Sequence, residues 1–237
     1  MMLIRGINAV QVAIRQGTGR KLILKAGSLN QRQQALLEEA KTRGIEIERR
    51  DVDDRALSSQ GVALEVVQAL VQTEKDLEKL LQQGRADWLF LVLDGVTDPR
   101  NLGACLRNAA SFGVDGVIVP KDRSAPLNDA AIRTASGGAS LVPVFQVTNL
   151  ARSLDTLKAA NIWIAGTILD ATQDLAELDL KGALALVMGA EDAGMRQKTR
   201  DRCDFLVKIP MPMPDLSLNV SVATGICLYE AHQQRAV

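Results

Sequence analysis

The segment Trp88–Val114, WLFLVLDGVTDPRNLGACLRNAASFGV, carries three signals in succession. Trp88 to Leu93 is an unbroken apolar run of strand length, Asp94 to Asn101 gathers Gly, Asp, Pro and Asn, and Leu102 to Phe112 sets Leu102, Leu106, Ala109 and Ala110 on one helical face. The order is buried strand, loop, amphipathic helix. In an open parallel sheet ligands occupy the crevice beyond the carboxyl ends of the strands, so Asp98, Asn101 and Arg107 issue from a place where they can meet one. Helical side chains tilt toward the N-terminus, so Arg107 can reach back to the loop it follows. A solvated helix arginine after an ordinary Asp-Pro turn fits this segment equally well.

The same alternation continues downstream. Gly116–Pro120, Leu141–Val147, Ile162–Thr167 and Lys181–Met188 read as further buried strands, with helices over Asn128–Ser136 and Leu150–Ala160 between them. Strands alternating with helices predict a doubly wound parallel α/β sheet covered on both faces. Upstream, a helix over Ile4–Gln16, a strand over Lys21–Lys25, a helix over Asn30–Arg43 stopped by Gly44, a strand over Ile45–Arg49, a helical turn over Asp51–Leu57 and a strand over Gly61–Val67 predict a small α/β sandwich. Between the two, Thr73–Asp87 (TEKDLEKLLQQGRAD) is charged and helix-prone. The predicted organisation is a small domain over 1–72, a linker over 73–87 and the second domain over 88–237.

Composition removes several function classes. With 47% hydrophobic residues in 237, the chain can build real cores. No apolar run approaches the ~18 residues of a membrane span and the N-terminus lacks a signal-like apolar core, so a cytoplasmic protein without membrane attachment is expected. Cys105, Cys203 and Cys227 are odd in number and far apart, which fits reduced thiols better than disulfides or a metal cluster. His232 is the only histidine, so histidine-based triads and zinc sites are not expected. Residues 1–60 hold eleven Lys or Arg against seven Asp or Glu, a net +4, leaving −4 on the remainder; a nucleic-acid face and a solvated surface both account for that excess.

Neither G-x-G-x-x-G nor G-x-x-x-x-G-K-[ST] occurs, which argues against a Rossmann dinucleotide site and a P-loop. Polar, Gly-containing loops instead end three strands. In Met188-Gly189-Ala190-Glu191, Gly189 permits close backbone approach to a ligand, and Glu191 suits an acid catalyst or the cap of a following helix. In IPMPMPDLSLNVSVATGICLYE, Ile209–Glu230, alternating Pro210, Pro212 and Pro214 enforce an extended approach, and Ser217, Asn219 and Ser221 precede a helical Ala223–Tyr229. Ser217 and Asn219 offer a hydroxyl and an amide on one side, or a helix cap and its neighbour.

Taken together, these loops resemble a family. Asp98-Pro99-x-Asn101-x-Gly103-x-x-x-Arg107, Met188-Gly189-Ala190-Glu191 and Ser217-Leu218-Asn219-Val220-Ser221-Val222-Ala223 are similar, in order and spacing, to motifs one, two and three of the SpoU (TrmH-like) RNA ribose 2′-O-methyltransferases. Gly6-Ile7-Asn8-Ala9-Val10 and Ser59-Gln60-Gly61-Val62 resemble landmarks of the small ribosomal-protein-like RNA-binding domain of RlmB-type members. The segments Asp94–Pro99 and Val119–Ser124 are similar to the same subgroup. The resemblance covers essentially the whole chain. It implies a SPOUT-class catalytic domain with a deep C-terminal trefoil knot, an exception to the rule against threaded chains. It further implies S-adenosyl-L-methionine as methyl donor, a homodimer, no metal, and a guanosine ribose of large-subunit (23S-type) rRNA as substrate.

Carried over by position, Gly189, Ile209 and Leu218 surround the donor, while Asn101, Arg107, Glu191, Ser217 and Asn219 form the catalytic surround. The chain departs from the pattern at Met213 and Asp192, where relatives usually carry Gly, which bears on the shape of the donor loop. Asn8 and Ser59 stand where histidines are frequent, which bears on RNA capture. Methyl transfer to a hydroxyl needs alignment and removal of a proton rather than a metal. An arginine stays protonated at neutral pH, so its chemistry favours Arg107 as a clamp on the nucleotide's phosphate, whereas the family assigns it as the base. Ser217 and Asn219 are expected to orient ribose or donor, and Glu191 to hold its loop or Arg107. The alternative from another class is a non-catalytic RNA-binding or ribosome-assembly protein that keeps the fold, its donor loop crowded by Met213.

Overall fold

The computed structural model describes the chain except for Met1, Gln16, residues 52–56 and 67–70, Asp192, residues 214–216 and Val237. The first body runs β1 (Met2–Arg5), α1 (Ile7–Arg15), β2 (Gly19–Lys25), α2 (Gln31–Thr42), β3 (Glu46–Arg50) and β4 (Val62–Val66), in a sheet ordered β1-β4-β2-β3. Pairing of Met2–Arg5 with β4 takes the first residues of the expected Ile4–Gln16 helix into an edge strand. α2 starts where its cap residues put it. Asn30 Oδ1 accepts from Gln33 N–H and Gln33 Oε1 accepts from Asn30 N–H, so two otherwise orphaned donors are satisfied reciprocally. Ile4, Val10, Ile14, Leu22, Leu36 and Leu64 form the core. The helical turn expected over Asp51–Leu57 falls almost wholly outside the described residues.

The second body contains β5 (Val71–Thr73), α3 (Glu74–Leu81), β6 (Leu89–Asp94), α4 (Pro99–Ser111), β7 (Gly116–Pro120), α5 (Asp129–Ala135), α6 (Gly138–Leu141), β8 (Val144–Val147), α7 (Leu150–Ala159), β9 (Trp163–Thr167), β10 (Gln173–Asp174), β11 (Leu184–Gly189), α8 (Gln197–Arg200), β12 (Phe205–Lys208) and α9 (Val220–Arg235). Eight strands lie in the order β10-β12-β9-β11-β6-β7-β8-β5, every pairing parallel. Unbroken apolar strands such as β6 belong in such a sheet, because helices cover both faces. Leu89, Leu91 and Leu93 pack with Leu102, Cys105 and Leu106 of α4 and Cys227 and Leu228 of α9, while Phe90 and Val92 pack with Leu77 of α3 and Leu154 of α7.

Three expectations shift. Residues 73–87 do not form a free linker: β5 pairs with β8, and Leu77 and Leu81 enter the core. The charges of that segment are the solvent side of an amphipathic helix. Leu141–Val147 divides between α6 and β8, and β5, β10 and β12 join strands read from the sequence.

Burial raises the thiol of Cys105 to about 11 and those of Cys203 and Cys227 to about 12, so none is a thiolate nucleophile near neutrality. No described helix is long and apolar enough to cross a membrane. At the amino end of the sheet, the Arg235 guanidinium of α9 donates to the carbonyls of Leu180 (3.0 Å), Asp87 (3.0 Å), Trp88 (3.3 Å) and Gly182. The two bodies meet where α1 abuts the turn between α5 and α6. Gly137 sits there at φ +102°, and a Cβ would lie 3.1 Å from Val12 Cγ2. Arg5 and Asp129 make an ion pair across the same junction.

Candidate active site

A parallel sheet sends its carboxyl-end loops to one side. The loops after β9, β11 and β12, with the start of α9, line an open cavity of about 360 Å³. Its apolar walls are Ile168, Leu169, Met188, Ile209, Met211 and Leu218; Thr167, Asp170, Glu191, Arg200 and Ser217 supply polar groups. Gly189, Ile209, Leu218, Ser217 and Glu191 are thus brought to one place. Met213 does not line the cavity and is 63% exposed, so it does not crowd the space as the non-catalytic alternative needs. Asp192 and Pro214 lie outside the described residues.

Gly189 has a different reason from the one its position suggests. A Cβ there would fall 2.4 Å from the carbonyl carbon of Gly194 and 2.5 Å from the nitrogen of Met195. Ala190 and Gly194 exchange two backbone hydrogen bonds of 2.9 Å, turning the loop tightly back on the strand end. The close approach is made by the chain itself. Glu191 sits in that hairpin-like turn rather than at a helix start, since α8 begins only at Gln197, which removes the cap reading.

From the turn, Glu191 accepts from Asn101 Nδ2 (3.2 Å) and Asn219 Nδ2 (3.3 Å), and Asn219 Nδ2 also approaches Asn101 Oδ1 at 3.0 Å. Asn219 Oδ1 accepts from the backbone N–H (3.0 Å) and hydroxyl (2.6 Å) of Ser221, so it caps α9 as well as joining the cluster. Asn108 Nδ2 donates to the Ser221 carbonyl at 2.8 Å. A hydrogen-bonded line therefore runs from Glu191 on the cavity wall to Asn108 on α4. Glu191 thus bonds the amides of Asn101 and Asn219, and among the described residues it makes no bond to Arg107.

Arg107 stands at the far end of that line. It is exposed, lines a second cavity with Ala104, Asn108, Thr134, Ser221, Val222 and Gly225, and has no carboxylate partner among the described residues. Among the described residues it makes no bond to Asp98 or to the first turn of α4, where Asp98 accepts from Arg100 N–H as the helix cap.

Sequence reasoning missed Asp94. It ends β6 fully buried, opposite Gly189 in register, and accepts from the Arg196 backbone N–H at 2.9 Å and from the Arg196 guanidinium. The pair fastens the far end of the Glu191 loop to the central strand. The signal was available: Asp94 is the first polar residue after an apolar run. Arg196→Ala leaves a buried carboxylate without its guanidinium and is expected to lower stability by about 2 kcal/mol. Urea unfolding midpoints of wild type and variant check this, and unchanged midpoints would exclude an anchoring role.

Comparison with known proteins bears on this arrangement. The 23S rRNA (guanosine-2'-O-)-methyltransferase RlmB of Vibrio parahaemolyticus is 47% identical over 240 residues, covering 98% of this chain and 96% of that protein. The protein of that name from Pseudomonas aeruginosa is 47% identical over 236 residues, covering 97% and 95%. Among solved structures, the SpoU methyltransferase AviRb from Streptomyces viridochromogenes in complex with AdoMet superposes with a TM-score of 0.84 at 27% identity, covering 99% of this chain and 90% of that one. The model of the SpoU rRNA Methylase family matches residues 88–229, the span that builds both cavities and the line between them. With sequence, fold and motif loops in agreement, the chain belongs to the SpoU rRNA methylase family.

Proposed function

We propose that this protein transfers a methyl group from S-adenosyl-L-methionine to the ribose 2′-hydroxyl of a guanosine in 23S-type rRNA. The observation that carries the reading is the hydrogen-bonded line Glu191–Asn101–Asn219–Ser221–Asn108, which joins the cavity at the strand ends to the Arg107 cavity. The cavity at the strand ends fits the donor. Its volume, about 360 Å³, suits a small cofactor, its apolar walls suit an adenine and the carbon chain that bears the sulfur, and Asp170, Glu191 and Arg200 complement a molecule carrying both charges. Bound there, the donor supplies an electrophilic methyl group on a sulfonium. The chain's own residues position the acceptor: Arg107 holds a phosphate of the target nucleotide, and Asn101 and Asn219, locked by Glu191, fix the loops that flank the ribose. Ser217, without a hydrogen-bond partner among the described residues, directs its hydroxyl to ribose or donor.

The first body serves as the RNA-binding arm, and the C-terminal segments wrapped around the donor cavity are the knotted part of the chain. The working unit is a homodimer. On α9, Val222, Ile226 and Tyr229 are 51%, 39% and 53% exposed, an apolar face beside the Arg107 cavity. Leu228 of the same helix is buried in the core. Ile226→Asp is therefore expected to turn a dimer into a monomer in sedimentation velocity, and a wild-type monomer with full activity would exclude the assembly.

Calorimetric titration with S-adenosyl-L-methionine, together with mass-spectrometric mapping of ribose methylation in rRNA from cells with and without the gene, tests the function. Donor binding and one missing guanosine methyl are expected. RNA affinity without donor binding would favour the non-catalytic alternative.

A further inference from the structure

We infer that the cleft between the two bodies holds an unstacked guanine of the RNA, close in sequence to the methylated nucleotide; the inference rests on the methyltransferase reading above. The cleft has a volume of about 540 Å³ and is lined by Asn8, Ser59 and Gln60 of the first body and by Asp129, Arg133 and Ser136 of the second. That is room for a nucleobase.

The chemistry of its walls comes from two amides whose orientation is fixed. Asn8 Oδ1 accepts from Arg32 Nη2 at 2.7 Å, and Gln60 Oε1 accepts from the Ile7 backbone N–H at 2.8 Å. A guanidinium and a backbone N–H can only donate, so each amide oxygen must face them and each amide NH₂ must face away. Neither NH₂ has a hydrogen-bond partner among the described residues. Arg133 adds further donors. Its contact with Asp129 is 4.0 Å, and the Asp129 carboxylate is engaged by Arg5. The outward NH₂ groups of Asn8 and Gln60 and the guanidinium of Arg133 thus offer donors, which match an edge that presents acceptors side by side. Guanine has such an edge in O6 and N7, whereas adenine and cytosine place an amino group there. Reading of splayed-out bases by such edges is the usual route to sequence choice in RNA. α5 is the partition: Arg133 faces the cleft and Thr134 the Arg107 cavity, so a strand leaving Arg107 reaches the cleft by crossing one helix.

The test uses the full chain and a 23S rRNA fragment spanning the mapped site, with copies carrying 7-deazaguanosine at each neighbouring guanosine in turn. Asn8→Asp and Gln60→Glu keep the oxygen that accepts from Arg32 or Ile7 and replace only the outward NH₂. Gln83→Glu adds the same charge in the exposed turn after α3, away from the cleft. By fluorescence anisotropy, wild type is expected to lose ~10-fold in affinity when N7 is removed at one neighbouring position. Asn8→Asp and Gln60→Glu should lose ~10-fold on the unmodified fragment and be indifferent to that N7, while Gln83→Glu behaves as wild type. Equal losses in cleft and control variants, or no position sensitive to N7, overturn the inference. A wild type that binds the fragment but neither binds donor nor methylates overturns the methyltransferase reading alone, and one that binds no rRNA overturns both.

Discussion

Arg107→Lys is expected to lower single-turnover methylation of an rRNA fragment by ~10²-fold, the usual cost of losing one transition-state hydrogen-bonding group, with donor affinity unchanged. Lysine keeps the charge but cannot reproduce the planar fork that pairs two donors with a phosphate. The structure separates the two readouts, because Arg107 lies in the α4–α9 cavity and contributes nothing to the cavity proposed for the donor. An arginine that merely decorated the helix would lose at most a few-fold. Near wild-type turnover in the variant would therefore exclude a part in the reaction, and a parallel fall in calorimetric donor affinity would mean that the two cavities are not independent.

Gly189→Ala is expected to fail differently, with donor affinity and turnover falling together. One methyl group would have to fit where the backbone of Gly194 and Met195 already lies 2.4–2.5 Å away. Backbone cannot step aside as a flexible side chain does, so the turn carrying Glu191 must move. A displacement of about 1 Å at a positioning group is enough to cost ~10²-fold in rate. Calorimetry and single-turnover methylation measured side by side check this, and retention of wild-type donor affinity would show that the turn does not shape the cavity.

The parts of the fold legible in the sequence were those in which one segment carries its own signal. β6 and β11 are unbroken apolar runs, and both stand at the centre of the sheet. β10, with two residues, and β5, with three, are strands only because a neighbour is there to pair with, and no periodicity can announce them. The charged residues after Thr73 suggested a connector because composition sees the wet side of a helix and not the two leucines beneath it. At the site, motif spacing named Asn101, Glu191 and Asn219, but their bonds join residues 90 and 118 positions apart and are a product of the topology. Asp94 was passed over as the end of a strand, although its full burial and its bonds to Arg196 make it the anchor of the Glu191 loop.

The Arg235 contacts carry a consequence for biosynthesis. Its guanidinium gathers carbonyls from Asp87 and Trp88, just before the central strand, and from Leu180 and Gly182, just before that strand's neighbour. Arg235 follows every strand among the described residues. On a translating ribosome, β6 therefore emerges long before the group that latches its entrance, and the nascent second domain stays unlatched while most of its sheet is already outside the tunnel. Contacts of such long sequence separation are slow to form and leave partly assembled sheets open to wrong partners. The latch therefore closes late in the folding of the second body, after the strands whose entrances it holds have been made.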